Sequence, residues 1–269
     1  FRASYGRINT DYLPGDNVWT YYTQSYSTNG VTYPFNSGYD SSFGSTLLGQ
    51  MATDNPTHEK ADKYNIGLDA TLFGGLNVQL DAYYQKRTDI WCSGSGTYGS
   101  IIGFAAPYVN AGCVNSWGTE ASLDYTHKFG EVTFNIGGTF ALNKNKIKDQ
   151  AEEPRAFQNL VQTGNPLSST YGLIADGLLT QKDIDNMNLS KDDPNYVPKQ
   201  TFSAVYPGDI KYIDVNGDGL VDANDQVKIG YSTSCPEIYY TAHLGAEWKG
   251  IGFDAMFQGV GRYSAVLNT

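Results

Sequence analysis

No stretch of this sequence approaches the ~18 consecutive apolar residues that a membrane-crossing helix needs, and no basic-then-apolar leader stands at its start. Positive charge is short: 18 Lys and Arg face 28 Asp and Glu in 269 residues, a formal net charge of −10. That balance argues against a nucleic-acid partner, because phosphate binding needs a basic face that releases counterions. Cysteine is scarce as well. Three residues cannot build a disulfide scaffold. Cys92 and Cys113 flank one Gly/Ser-rich segment and are the candidate bridge, with unpaired loop thiols as an equal alternative; Cys235 stands alone before Pro236. His58, His127 and His243 are far apart, without metal-ligand spacing. No nucleophile elbow or other catalytic motif occurs, and the acidic pairs Glu152-Glu153 and Asp192-Asp193 lie in polar loop sequence, so no enzyme is expected.

What is abundant points elsewhere. There are 21 Tyr, 12 Phe, 4 Trp and 30 Gly, a set that suits strands, turns and membrane-interface belts. Apolar residues recur with period two. Ile66, Leu68, Ala70 and Leu72 alternate with Gly67, Asp69 and Thr71; Leu76, Val78, Leu80, Ala82 and Tyr84 alternate with Asn77, Gln79, Asp81 and Tyr83. Val132, Phe134 and Ile136 repeat the pattern, as do Ile238, Tyr240, Ala242, Leu244, Ala246 and Trp248. Successive strand side chains point to opposite faces, so each segment has one apolar and one polar face.

Seven strands are expected, at 1–12, 63–73, 76–90, 114–128, 131–145, 237–249 and 252–263. Several exceed the ~5–6 residues typical of soluble sheets and reach the ~9–11 of a tilted membrane strand. Tight links at 73–75, 129–131 and 249–251 alternate with long ones at about 13–62, 88–113 and 146–236. Membrane barrels sort their loops in this way, with short periplasmic turns and long extracellular loops. The expected fold class is all-β: an antiparallel transmembrane β-barrel segment with long extracellular loops. Seven strands leave two open edges, which lipid does not tolerate, so a larger barrel or a second chain is expected to complete the wall. The opening "FRASYG" reads as mid-strand text, which also fits a fragment. His127 and His243 fall on strands, where the ordinary reading is a polar residue facing the lumen.

At this point the motifs resemble a family. "RASYG" (2–6), "NPTHEKADKYNIGLDATLF" (55–73), "DAYYQKRTDI" (81–90), "NAGCVNSWGTEASLDY" (110–125), "FNIGGTFALNKNKI" (134–147), "GNPLSSTYGLIADGLL" (164–179) and "PGDIKYIDVNGDGLVDANDQVKIG" (207–230) follow one another as in the SusC/RagA-type TonB-dependent outer-membrane transporters of Bacteroidota. The resemblance covers most of the chain. It implies a stretch from the later part of a barrel of about 22 strands in the outer membrane of a Gram-negative cell. It further implies import of oligosaccharides or peptides, energised through TonB, with a SusD-like surface lipoprotein as lid. The family's N-terminal plug and TonB-contacting segment have no counterpart in these residues.

Two motifs need weighing separately. Gly94, Gly96 and Gly99 have dinucleotide-fingerprint spacing, but the following "SIIGFAAPYV" lacks helical periodicity, so a loop is expected. In "DVNGDGLVDAND", Asp214, Asn216, Asp218, Asp222 and Asp225 occupy positions 1, 3, 5, 9 and 12 of a calcium loop. Gly219 takes position 6, and Leu220 offers its carbonyl at 7. A structural Ca2+ is expected there; the alternative is an Asp/Asn/Gly turn satisfied by its own hydrogen bonds. Loop aromatics Trp19, Tyr21, Tyr22, Tyr26 and Tyr33 are candidates either for stacking on sugar or for packing the loops. Two competing functions remain. One is a secreted or surface β-sandwich module for carbohydrate binding or adhesion with a dockerin-like calcium loop; the other is a β-rich glycoside hydrolase.

Overall fold

The computed structural model describes residues 1–10, 23–27, 32–35, 41–98, 101 and 103–267. Trp19, Tyr21, Tyr22 and Gly99 lie outside them, as does the side chain of Tyr33. Seven long strands form one antiparallel sheet in chain order: β1 (Arg2–Thr10), β2 (Glu59–Leu72), β3 (Leu76–Ser93), β4 (Tyr108–Phe129), β5 (Val132–Asp149), β6 (Ile238–Trp248) and β7 (Ile251–Gly261). The two outermost strands, β1 and β7, pair on one side only, so the sheet is a curved wall and not a closed barrel. It is not a sandwich of two sheets.

Tight links of three, two and two residues join β2 to β3, β4 to β5 and β6 to β7. In the last of these both Lys249 and Gly250 take positive φ, 47° and 82°, the twist that matches a two-residue hairpin. All long connections leave from the opposite end. The expected boundaries shift there: β2 begins at Glu59, β3 continues to Ser93, β4 begins at Tyr108 and β5 continues to Asp149. These strands stand proud of the apolar band, and the loops are correspondingly shorter than the sequence suggested.

The two faces follow the registers. On the apolar face Leu68, Leu80, Ala121, Phe140 and Tyr240 stand opposite one another across β2 to β6. Above them Tyr5, Tyr64, Tyr84 and Trp117 make a second row. Ring centroids lie 4.9 Å apart for Tyr5–Tyr64 and 6.3 Å for Tyr64–Tyr84. Towards the tight turns, on the same face, His127 stacks on Tyr125 at 5.8 Å and meets Phe129 edge-on at 5.4 Å. His127 therefore belongs to the apolar face, not the polar wall: it shares the parity of Leu123 and Tyr125, and its ring serves as an aromatic. From His127 to Trp117 is ten residues, about 33 Å along the strand and about 25 Å along the barrel axis at ~40° tilt. That is the height of an outer-membrane apolar band between two aromatic girdles.

Burial agrees. Among the described residues the buried hydrophobics are few: Val114, Ile147, Leu179, Met187, Val197 and Val221. Ile66 is 64% exposed and Phe257 68%. A water-soluble chain of this length buries most of its apolar surface, and a wall facing lipid does not.

The connection between β5 and β6 is folded. Leu179, Met187 and Val197 form a small core beside Val205. Helix α1 (Gln181–Asn186) starts on a capping box in which Thr180 and Asp183 satisfy each other's backbone N–H. Asp183 also pairs with Lys211 at 3.1 Å. Glu152 anchors the excursion's first turn. Its carboxylate accepts from Gln162 N and from both the N–H and the hydroxyl of Thr163, at 2.8–3.2 Å. Burial pushes its pKa up, but those donors and the Gln150 amide outweigh it and bring it down to about 2.

Candidate functional site: the polar wall

The polar face carries rows of side chains set by the same registers. Gln79, Ser122, Thr139, Thr241 and Gln258 stand opposite one another across five strands. The Thr139 and Thr241 hydroxyls are 2.7 Å apart. The next row runs Asp81, Glu120, Ala141, Tyr239 and Val260. These two rows line a concavity of about 620 Å³. Its chemistry is that of amides, hydroxyls and carboxylates, which donate and accept hydrogen bonds in turn.

Charge on this wall is mostly negative. Arg2 is the local counter-ion, lying 2.9 Å from Asp69 and 2.7 Å from Asp81. His243 does face the wall, as its parity requires, with Asn135 at 3.2 Å and Asp124 at 3.4 Å. A second polar tie crosses β4. The Tyr83 hydroxyl donates to the Asn143 side-chain oxygen, and the line between them passes over Gly118. A Cβ at residue 118 would stand 2.6 Å from the Tyr83 oxygen and 2.2 Å from the Leu142 carbonyl, so only glycine fits.

The other expected sites fall away from this wall. Cys92, Cys113 and Cys235 are all free. Cys92 stands opposite Val109 and Ile90 opposite Gly112, which leaves Cys92 and Cys113 about 10 Å out of step along the pair, beyond disulfide reach. Of the two readings, bridge or unpaired thiols, the structure has the thiols unpaired. Gly94 precedes and Gly96 lies within a four-residue helix, Ser95–Tyr98, between antiparallel neighbours, so the βαβ context of a dinucleotide site is missing.

The calcium-like loop links two short strands, Ile210–Tyr212 and Val227–Gly230, so its strand-like flanks are as expected. Asp214 accepts from Gly217 N and Gly219 N at 2.6 and 2.8 Å, Asn216 from Asp218 N at 2.8 Å, and Asp218 from Leu220 N at 2.9 Å. Asp222 accepts from Asn224 N at 2.6 Å. Asp225 is fully buried and accepts from Val215 N, Asn216 N and Asp222 N at 2.8–3.1 Å. The loop is thus closed by its own hydrogen bonds. The orphaned buried atom here is Asn216 Nδ2, a donor that calls for an oxygen and not for a cation. Among the described residues no group of three or more His, Cys, Asp or Glu gathers as a metal centre. The donor set is nevertheless all oxygen, at alternate positions of the loop, and each carboxylate keeps acceptor capacity beyond these hydrogen bonds. What the loop does is fasten the excursion to its own start: Asn159 donates to the carbonyls of Asn224 and Gln226 at 2.7 and 2.9 Å.

Comparison with known proteins agrees with the wall and its two faces. No family model matches. The chain is 27% identical over 96% of its length to TonB-dependent receptor P26 of Formosa agariphila. It superposes on the RagAB peptide importer in its open-open state with a TM-score of 0.64, over 97% of this chain at 18% identity. The closed-closed state gives 0.60 over 97%, also at 18%. The chain has the barrel fold of TonB-dependent outer-membrane transporters. The resemblance read in the motifs is thus met by a similar TonB-dependent receptor in sequence and by the RagAB importer in fold. The fold is one that crosses an outer membrane with strands. The chain spans about a quarter of the length of these proteins, 25% of the receptor and 26% of the importer chain.

Proposed function

We propose that this wall is part of an active importer that takes up oligosaccharides or peptides across the outer membrane, energised through TonB, with a SusD-like surface lipoprotein as lid. The observation that carries the reading is the row Gln79–Ser122–Thr139–Thr241–Gln258, continuous across five strands on one face while the other face is apolar. Such a row offers hydrogen bonds to peptide amides or sugar hydroxyls without committing to one sequence or linkage. The name of the similar receptor supports TonB coupling, and the similar importer's supports a peptide. The test is uptake of labelled oligopeptides and oligosaccharides by cells with and without the protein. One class of solute should be taken up only when the protein is present, and uptake should stop when TonB is removed. Unchanged uptake of both classes without the protein would overturn the reading.

A structural Ca2+ on Asp214, Asn216, Asp218, the Leu220 carbonyl, Asp222 and Asp225 is a second proposal. It is supported by the ligand spacing and by Gly219 at position 6, whose φ is +85°. Each carboxylate oxygen that accepts one N–H keeps a lone pair that the ion would use. Titration calorimetry of the full-length protein with Ca2+ is the test: heat lost in Asp218→Ala supports it, and no heat in the parent protein contradicts it.

A further inference from the structure

β5 runs on to Asp149 past its last register pair with β6, Leu142 with Ile238, and leaves a notch beside β4 at the extracellular end. The notch holds a cavity of about 300 Å³, lined by Trp117, Lys144, Lys146, Lys228, Tyr231 and Arg262. This is an unusual gathering of cations in a chain of net charge −10. Glu237 also lines the cavity, and its carboxylate faces Arg262 at 3.4 Å. None of the three lysines makes an ion pair among the described residues, so their charges await an anion from outside.

The height of the cavity says which anion. Trp117 closes the aromatic row Tyr5–Tyr64–Tyr84–Trp117 and stands directly opposite Lys144. Lys146, opposite Asn115, is two residues further out, about 7 Å along the strand. Aromatic girdles mark the boundary of the hydrocarbon, and the headgroup layer beyond it is about 5–7 Å deep. Lys144 and Lys146 therefore stand at the depth of lipid headgroups, directly above the apolar residues Phe140 and Leu142 of the same strand and face, and Lys228 shares their cavity. We propose that this notch binds the phosphate of an outer-leaflet lipid, with Lys144, Lys146 and Lys228 as the phosphate contacts and Trp117 packing on the acyl or sugar part. Ammonium–phosphate contacts are charge-assisted and strengthened at the low-dielectric boundary. The proposal rests on the outer-membrane placement and not on import.

The test uses the full-length protein in detergent with three probes: phosphorylated lipid A, the same lipid dephosphorylated, and inorganic phosphate, read by native mass spectrometry. The phosphorylated lipid should be retained at least tenfold over the dephosphorylated one. The K144Q/K146Q/K228Q variant should lose that preference and the matching Lys→Arg variant keep it, both with parental heat-modifiable gel migration. If the triple variant does not fold, K228Q alone is read, because Lys228 lies outside the large sheet. Equal retention of both lipids by the parent protein would overturn the proposal. Inorganic phosphate binding as tightly as the lipid would also overturn it, showing a free-anion site instead. Loss of uptake with lipid preference intact would bear only on the importer reading.

Discussion

Tyr83 on β3 reaches over β4 and donates its hydroxyl to Asn143 on β5, crossing the one position, Gly118, where a side chain would block it. Three strands are tied on the polar face by this contact, independently of the backbone ladder. Gly118→Ala puts a methyl against both the tyrosine oxygen and the Leu142 carbonyl, and the strand cannot yield without breaking register. We expect a loss of about 1–3 kcal/mol, read from the urea midpoint of refolding into detergent micelles. Tyr83→Phe, which removes only the hydroxyl, should cost less, about 0.5–1.5 kcal/mol.

The two faces predict opposite responses to one substitution. Leu80→Arg places a guanidinium on the apolar face near mid-band and should cost about 2–4 kcal/mol. Gln79→Arg, one residue earlier, points into the polar wall and should stay within about 1 kcal/mol. The difference between the two variants in the same unfolding assay is the readout.

Glu152 predicts a pH dependence for the excursion at 150–237. Its pKa of about 2 lies below that of an ordinary glutamate, so its stabilisation is fully present above about pH 4.5 and is lost as pH falls towards 2. The side chain is only 9% exposed, and the shift corresponds to about 3 kcal/mol. Limited proteolysis should find the excursion intact at pH 5 and increasingly nicked below pH 3. Glu152→Gln should be nicked at pH 7.

Asp225 makes a sharper prediction about the loop. It is buried with three backbone donors on one carboxylate, so Asp225→Ala leaves all three unsatisfied. We expect loss of excursion protection at pH 7, at a cost of about 3 kcal/mol or more. Asp218→Ala, which frees one N–H in an exposed turn, should cost no more than about 1 kcal/mol in the absence of metal.

The strands were legible because lipid on one side and polar lumen on the other impose period two on every residue between the girdles. Legibility failed where that asymmetry ends. Residues 59–62, 91–93, 108–113 and 146–149 are strand but lie beyond the apolar band, where headgroups and loops replace the lipid–lumen contrast, so no alternation marks them. His127 misled because residue type suggested the wet face while its phase, shared with Leu123 and Tyr125, placed it on the apolar one. The small core of Leu179, Met187 and Val197 has no period to read; Thr180 and Asp183, a capping pair three residues apart, were its only local signal. The notch of lysines was invisible for another reason. It joins residues 117, 144–146, 228 and 262, which only the register brings together.

The central claim is that one face of this sheet meets lipid and the other an aqueous lumen. Single cysteines at 77 to 84, spin-labelled in the full-length protein in bilayers, test it most directly. The account predicts period two: labels at Val78, Leu80, Ala82 and Tyr84 relaxed by oxygen, those at Asn77, Gln79, Asp81 and Tyr83 by a water-soluble nickel chelate. Uniform access of the chelate at all eight positions would contradict it.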